Sequence, residues 1–281
     1  MINHRLPLIL HSIAAVALLL CTTACSPTPR EASPTPDAEP VQRWSGQVSD
    51  LRMTWTAEPG IDLVSGAAVV VRAHRESIEL AELMGDQQYV YPGFARAVAP
   101  DEPDSRKLSA WSLWPSLATP QKHPLVGTLK SHILFVNVSG RDVTSVLCFY
   151  TYTAAEEAAD GRFVSQARKV RGHEPGVFAY WVKMLAPELS SGGGLPPQKG
   201  PEAAPTADVF GDWRIVGALN SFAYFDGDLV REWPTLHADV AACVDKAPDP
   251  PDRRAFLIDG EHPRSDFPTL PASPGWPAES R

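Results

Sequence analysis

The sequence predicts an α+β domain: a long amphipathic helix packed on a curved, mainly antiparallel sheet, followed by a C-terminal helix and a proline-rich tail. Three observations predict it. Apolar residues recur at three- and four-residue steps from Leu63 to Met84, the period of a helix lying on a core. Runs rich in Val, Ile, Phe, Tyr and Thr fill Ser131 to Val138 and Val143 to Thr153, the composition of strands. Seventeen of the 28 prolines fall within 26–40, 190–206 and 248–281. Proline cannot donate to a strand ladder and breaks helix interiors, so these segments are expected outside the core.

Residues 1–24 read as a lipoprotein signal peptide. Arg5 supplies a short positive start, and Leu6 to Leu20 is apolar except for His11 and Ser12. A spanning helix needs about 20 apolar residues, and this run is shorter and followed by small residues, as in a secretory signal. Thr22-Thr23-Ala24-Cys25 resembles a bacterial lipobox, with Thr22 where leucine is usual. Cys21 is the poorer acceptor because the bulky Leu20 precedes it. The expected lipid site is therefore Cys25, and 25–43 is a lipidated, proline-rich tether that cannot bury a core. This places the chain on the outer face of a bacterial cell membrane. Removing Cys21 and Cys25 from the count leaves Cys148 and Cys243, an even pair in an exported domain. A disulfide between a central strand and a late helix is expected.

The single domain is expected over 44–247. Arg43 to Glu58 reads as an irregular lead-in. In the helix that follows, Leu63, Ala67, Val70, His74, Ser77, Ala81 and Met84 form the apolar stripe. Arg72, Arg75, Glu76, Glu79 and Glu82 lie largely on the other side. Gly85-Asp86 stops it, and Tyr89 to Phe94 makes an aromatic turn into a second short helix. Asp101 to Pro124 is polar, with Trp111 and Trp114 as packing anchors. The strands Ser131 to Val138 and Val143 to Thr153 flank a turn at Ser139-Gly140-Arg141-Asp142. Apolar residues on both of their faces imply a sheet covered on two sides or closed around a cavity. Gly161 to Val170 is a weaker strand and Phe178 to Leu185 a good one. A flexible loop follows over 190–206, then a strand within Asp212 to Phe222. Phe225 to Asp228 is a turn, and Pro234 opens a helix carrying Leu236, Val240 and Cys243. From Pro248 the chain reads as tail, with one edge strand at Ala255 to Ile258.

This order of elements resembles the nuclear-transport-factor-2-like superfamily, in which a curved sheet wraps a long helix. The stretches VVVRAHRESIELAELMGDQQYVYPGFARAV, HILFVNVSGRDVTSVLCFYTY and DVFGDWRIVG are also similar to a family of uncharacterised exported proteins and lipoproteins of actinobacteria. The resemblance spans roughly residues 60–245. It implies a cone-shaped fold with a cavity and selects no single function.

The composition and motifs narrow the chemistry. The net charge of −8 and the lack of a Lys/Arg cluster argue against nucleic-acid binding. The longest basic run, Arg168 to Arg171, reads as a solvated strand edge. No Walker loop, nucleophile elbow, HExxH or CxxC is present, so no cofactor and no metal is expected. His74 is the remaining catalytic candidate, a general base if the helix stripe faces a cavity. His132 reads as structural. His237, Asp239 and Cys243 do not share one helix face well enough to hold a metal. Tyr89, Tyr91, Phe94, Trp111 and Trp114 are a candidate ligand pocket. The leading expectation is a membrane-anchored lipoprotein that binds an envelope protein or a small apolar ligand without catalysis. The alternatives are a small isomerase or hydrolase using His74, and a structural interaction module.

Overall fold

The computed structural model describes residues 41–98, 107–110, 112–167, 174–188, 195–222 and 226–278. The signal segment, Cys25, the tether as far as residue 40, Trp111 and the basic run Arg168 to Arg171 lie outside them. So does the glycine-rich part of the 190–206 loop. Among the described residues, no helix is long and apolar enough to cross a membrane.

The fold mixes helices with a curved, open, mainly antiparallel sheet. Strand β1 (Asp50–Ala57) comes first, where an irregular lead-in was expected. Its inward residues Leu51, Met53 and Trp55 alternate with more exposed ones, so the period-2 signal was present but brief. Helix α1 (Gly66–Met84) ends at Gly85, whose φ of 64° gives the left-handed cap that glycine adopts without steric cost. A short helix α2 (Phe94–Ala97) follows the aromatic turn.

The sheet continues through β2 (Leu125–Ser139), β3 (Asp142–Tyr150), β4 (Ala154–Glu157), β5 (Phe163–Ser165), β6 (Val177–Leu185) and β7 (Arg214–Asn220). β1 runs parallel to β2, and every other pairing is antiparallel. β1 and β3 both pair with Lys130 to Ile133 of β2, and β1 and β4 both pair with Val126 and Gly127. A strand has two edges, so β3 and β4 share one of them as a single interrupted strand. Gly127 permits this junction: it has φ 102°, and a Cβ there would stand 2.4 Å from the Thr153 carbonyl. A bulge in β2 between Ile133 and Phe135 bends the sheet.

Side chains of β3 alternate strictly between two cores. Leu147 and Phe149 join the core around α1. Val146, Cys148 and Tyr150 join a second core on the opposite face. That second core is closed by α3 (Asp226–Glu232), α4 (Leu236–Asp245) and α5 (Pro251–Ile258) through Leu229, Trp233, Leu236, Cys243 and Leu257. The expected disulfide joins Cys148 of β3 to Cys243 of α4. It closes a loop of 95 residues, which chain entropy values at up to about 5 kcal/mol.

Five further expectations are corrected. The 248–281 segment does not behave as a tail in its described part. It carries α5 in place of an edge strand, and Phe267 and Trp276 are fully buried in the second and first cores. Pro251 opens α5 at a position where its missing N–H costs nothing. The described part of the expected turn at Phe225 to Asp228, residues 226–228, belongs to α3, and Phe225 lies outside the described residues. The described half of the 190–206 loop is pinned rather than loose, because Glu202 and Trp276 exchange both backbone hydrogen bonds. Arg43, at the end of the expected tether, donates to the Val90 carbonyl and belongs to the domain.

The fifth correction concerns α1. It is not amphipathic in the expected sense. Arg72, Arg75 and Glu76 are buried along with the apolar stripe. The sheet covers one side of α1, and Tyr91, Phe94, Leu113, Phe210 and Trp276 cover the rest. A helix enclosed on all sides must satisfy its charges internally.

Candidate functional site

That internal satisfaction is visible around Glu76. Its Oε1 accepts the indole N–H of Trp55 at 2.7 Å. Its Oε2 accepts the Tyr91 hydroxyl at 2.6 Å and the indole N–H of Trp276 at 2.8 Å. One turn away, Arg72 donates to the carbonyls of Leu63, Gln198, Pro274 and Gly275 and lies 4.3 Å from the Trp276 ring centroid. Burial raises the Glu76 carboxyl above its ordinary range, and Arg72 with the three donors pulls it partly back. Every polar atom of Glu76 is engaged within the protein, so this network is structural glue.

His74 is equally enclosed. Its Nε2 lies 3.0 Å from the Leu113 carbonyl and its ring stacks on Phe94 with centroids 5.6 Å apart. Burial lowers its pKa to about 4, so the ring is neutral at physiological pH. The carbonyl contact makes Nε2 the protonated nitrogen. The ring is packed in the core and does not line the cleft described below, so the structure gives the expected general base no support. The described residues of the expected aromatic pocket are likewise packed into the core. Tyr91 and Phe94 are core residues, and Tyr89 and Trp114 pack against that core. Trp111 lies outside the described residues.

A cleft of about 470 Å³ opens elsewhere, between the C-terminal half of α1 and the sheet. This lies within the range of small-molecule sites, about 300–1,000 Å³. Glu79, Glu82 and Leu83 of α1 form one wall, with Ser116, Thr119 and Gln121 of the following loop. Leu129, Phe149, Phe178 and Tyr180 form the floor, from the sheet face that also seats α1. Phe222 and Asn220 close one end. Residues of three adjacent strands reach the floor because Phe149 stands opposite Phe178 in register, with Tyr180 two residues on.

Electrostatics set the cleft's character. Arg75 pairs with Glu79. Its guanidinium lies 4.8 Å from the Phe149 centroid and 4.5 Å from that of Tyr180. Burial alone would lower the Arg75 pKa, but Tyr180, Glu79 and Glu82 outweigh it and raise it, so the cation is secure. Burial holds the Tyr180 phenol well above its usual range, so it stays protonated. Its oxygen accepts Asn220 Nδ2 at 2.9 Å. Glu82 accepts the Ser116 N–H at 3.0 Å, tying the loop to the helix. On the floor, Thr151 Oγ1 is buried and has no hydrogen-bond partner among the described residues.

Sequence reasoning had assigned Glu79 and Glu82 to the solvent side of α1. The available signal was two Arg-to-Glu pairs at i,i+4, Arg72 with Glu76 and Arg75 with Glu79, which allow a helix to carry charge into a core. His132 sits on β2 outside the cleft. Its Nδ1 is 2.8 Å from Thr56 Oγ1 and its Nε2 is 3.1 Å from Glu58 Oε1. Glu58 also pairs with Lys246, and Lys246 followed by His132 lowers its pKa. This group latches the β1 edge to the end of α4. Asp239 accepts Trp233 Nε1 and Thr235 Oγ1, both at 2.7 Å, and Cys243 is oxidised. Among the described residues, no group of three or more His, Cys, Asp or Glu is arranged to hold a metal ion. Comparison with protein families, curated proteins and solved structures finds no match to this chain.

Proposed function

We propose that this chain is a membrane-anchored cell-envelope lipoprotein that binds a small ligand, without catalysis, in the cleft between α1 and the sheet. The observation that carries the binding reading is the cleft itself. It has an apolar aromatic floor, a polar wall and a buried hydroxyl without a partner, the mixture by which binding sites combine affinity with orientation. The anchor at Cys25 rests on the sequence 22–25 and the proline-rich tether. The likeness to the nuclear-transport-factor-2-like cone belongs to the same proposal. A long helix seated on a curved sheet, with a cleft between them, supports it. The helices on the opposite face lie outside that likeness.

Thermal unfolding against a panel of small amphiphiles tests the cleft. A ligand at 100 times its dissociation constant stabilises the folded state by about 2.7 kcal/mol. Thr119 is an exposed residue of the cleft wall, so Thr119→Trp should abolish the ligand-induced shift without altering the unliganded melting temperature. An equal shift in the variant would place binding elsewhere. For the anchor, palmitate labelling should disappear in Cys25→Ser. Undiminished label would sink the lipid assignment.

A further inference from the structure

We infer that the ligand class of the cleft is a donor-rich cation on an apolar stem, a primary ammonium amphiphile. This rests on the binding reading above and specifies it. Charge comes first. Glu79 and Glu82 line the cleft, and Glu156 stands at its margin, where Gln121 Nε2 and Gln166 Nε2 both donate to its Oε2 at 2.8 and 3.3 Å. Against these three carboxylates stands Arg75, already paired with Glu79 and held over two aromatic rings. His123 approaches Glu156 at 3.9 Å and adds charge only when protonated. The cleft is thus net negative at neutral pH.

Hydrogen-bond chemistry points the same way. Gln121 and Gln166 each commit one amide N–H to Glu156, which leaves the amide oxygen and one N–H of each. Asn220 is engaged at both ends, donating to Tyr180 and accepting from Phe222 N. Acceptors therefore outnumber donors: two carboxylates and two amide oxygens only accept, the two remaining amide N–H groups only donate, and the hydroxyls of Ser116, Thr119, Thr151 and Tyr180 do both. A sugar supplies donors and acceptors in equal measure, whereas an ammonium supplies three donors and a positive charge. The floor of Leu129, Phe149 and Phe178 takes the apolar stem.

Titration calorimetry on the full chain, with decylammonium, decanol and decyl sulfate below their micelle concentrations, tests this. Decylammonium should bind about tenfold more tightly than decanol, with decyl sulfate weakest, and Glu82→Gln should remove most of that preference. Glu82 is chosen over Glu79 because removing Glu79 would strand the buried Arg75. Equal affinity for decylammonium and decanol would overturn the cationic assignment and leave the binding cleft standing. Absence of binding by all three, in a chain whose unfolding remains cooperative, would overturn the cleft reading and this inference with it.

Discussion

His74 and Glu76 lie two residues apart on α1 and pull the pH dependence of stability in opposite directions. Burial holds the His74 pKa at about 4, against 6.5 in the unfolded chain. Its contribution is complete above about pH 6.5 and is lost as pH falls towards 4, on the order of 3 kcal/mol. Glu76 is shifted upward by burial. Its contribution is complete below the ordinary carboxylate value, about 4.3, and is lost as pH rises through the folded value. The two slopes oppose each other above the ordinary carboxylate value, and single variants should separate them. His74→Gln, which keeps a donor for the Leu113 carbonyl, should flatten the acid limb of urea midpoints measured stepwise in pH. Glu76→Gln should lower the midpoint throughout and remove the loss on the alkaline side. An acid limb in His74→Gln as steep as in the parent would contradict a buried neutral imidazole.

At the scale of elements, the residues around Ser273 to Trp276 act as a strap. Trp55 N donates to the Ser273 carbonyl at 2.6 Å, capping the outer edge of β1. Val98 does the same service for β7 through its bridge to Ile215. The third edge strand, β5, is bridged in the same way by His262 at Phe163, so each edge carries one contact that disfavours strand addition by other chains. Ending the chain after Ala272 should expose the β1 edge and remove Trp276 from the core. Loss of a buried tryptophan alone costs about 3–5 kcal/mol, a large share of a typical 5–15 kcal/mol stability. The truncated chain should lose cooperative unfolding by circular dichroism and elute as aggregate. Trp276→Phe, which keeps a ring but removes the N–H to Glu76, should remain folded and lose about 1–3 kcal/mol. This strap was invisible in the sequence for a physical reason. Its partners are 200 residues upstream, and its three prolines between Pro271 and Pro277 carry no periodicity. The elements that were legible are those whose burial is local and repetitive: α1 with its glycine stop, the β2–β3 hairpin, β6, β7 and α4. β1 was missed because its one parallel partner lies about 75 residues away.

For the whole molecule, the three-layer arrangement of α1, sheet and α3–α5 predicts how the chain resists proteolysis. Arg253, Arg254 and Arg264 lie in the segment read as a tail. Arg254 is buried, bonded to the Asp249 carbonyl and to Glu174, and Arg253 pairs with Asp266. Trypsin acting on the native chain should leave all three bonds intact while the domain holds. Early release of a fragment from residues 254 to 281 would refute the packing of that segment. The cleft follows the same logic of legibility. Its helix was foreseen, but its floor requires knowing that β3 and β6 pair with Phe149 opposite Phe178. Residue periodicity cannot supply that register. His74 was placed on the correct helix and on a buried face, and only the structure separates that face from the one bearing Glu79 and Glu82.

The strap also sets a clock. A ribosome delivers Arg72 and Glu76 some 200 residues before it delivers Trp276, so for most of synthesis the two charges have no complete set of partners. The helix that carries them cannot close its surroundings until almost the whole domain has been made. A chain that stops short of the strap should therefore leave Arg72 and Glu76 without the partners that Pro274, Gly275 and Trp276 supply.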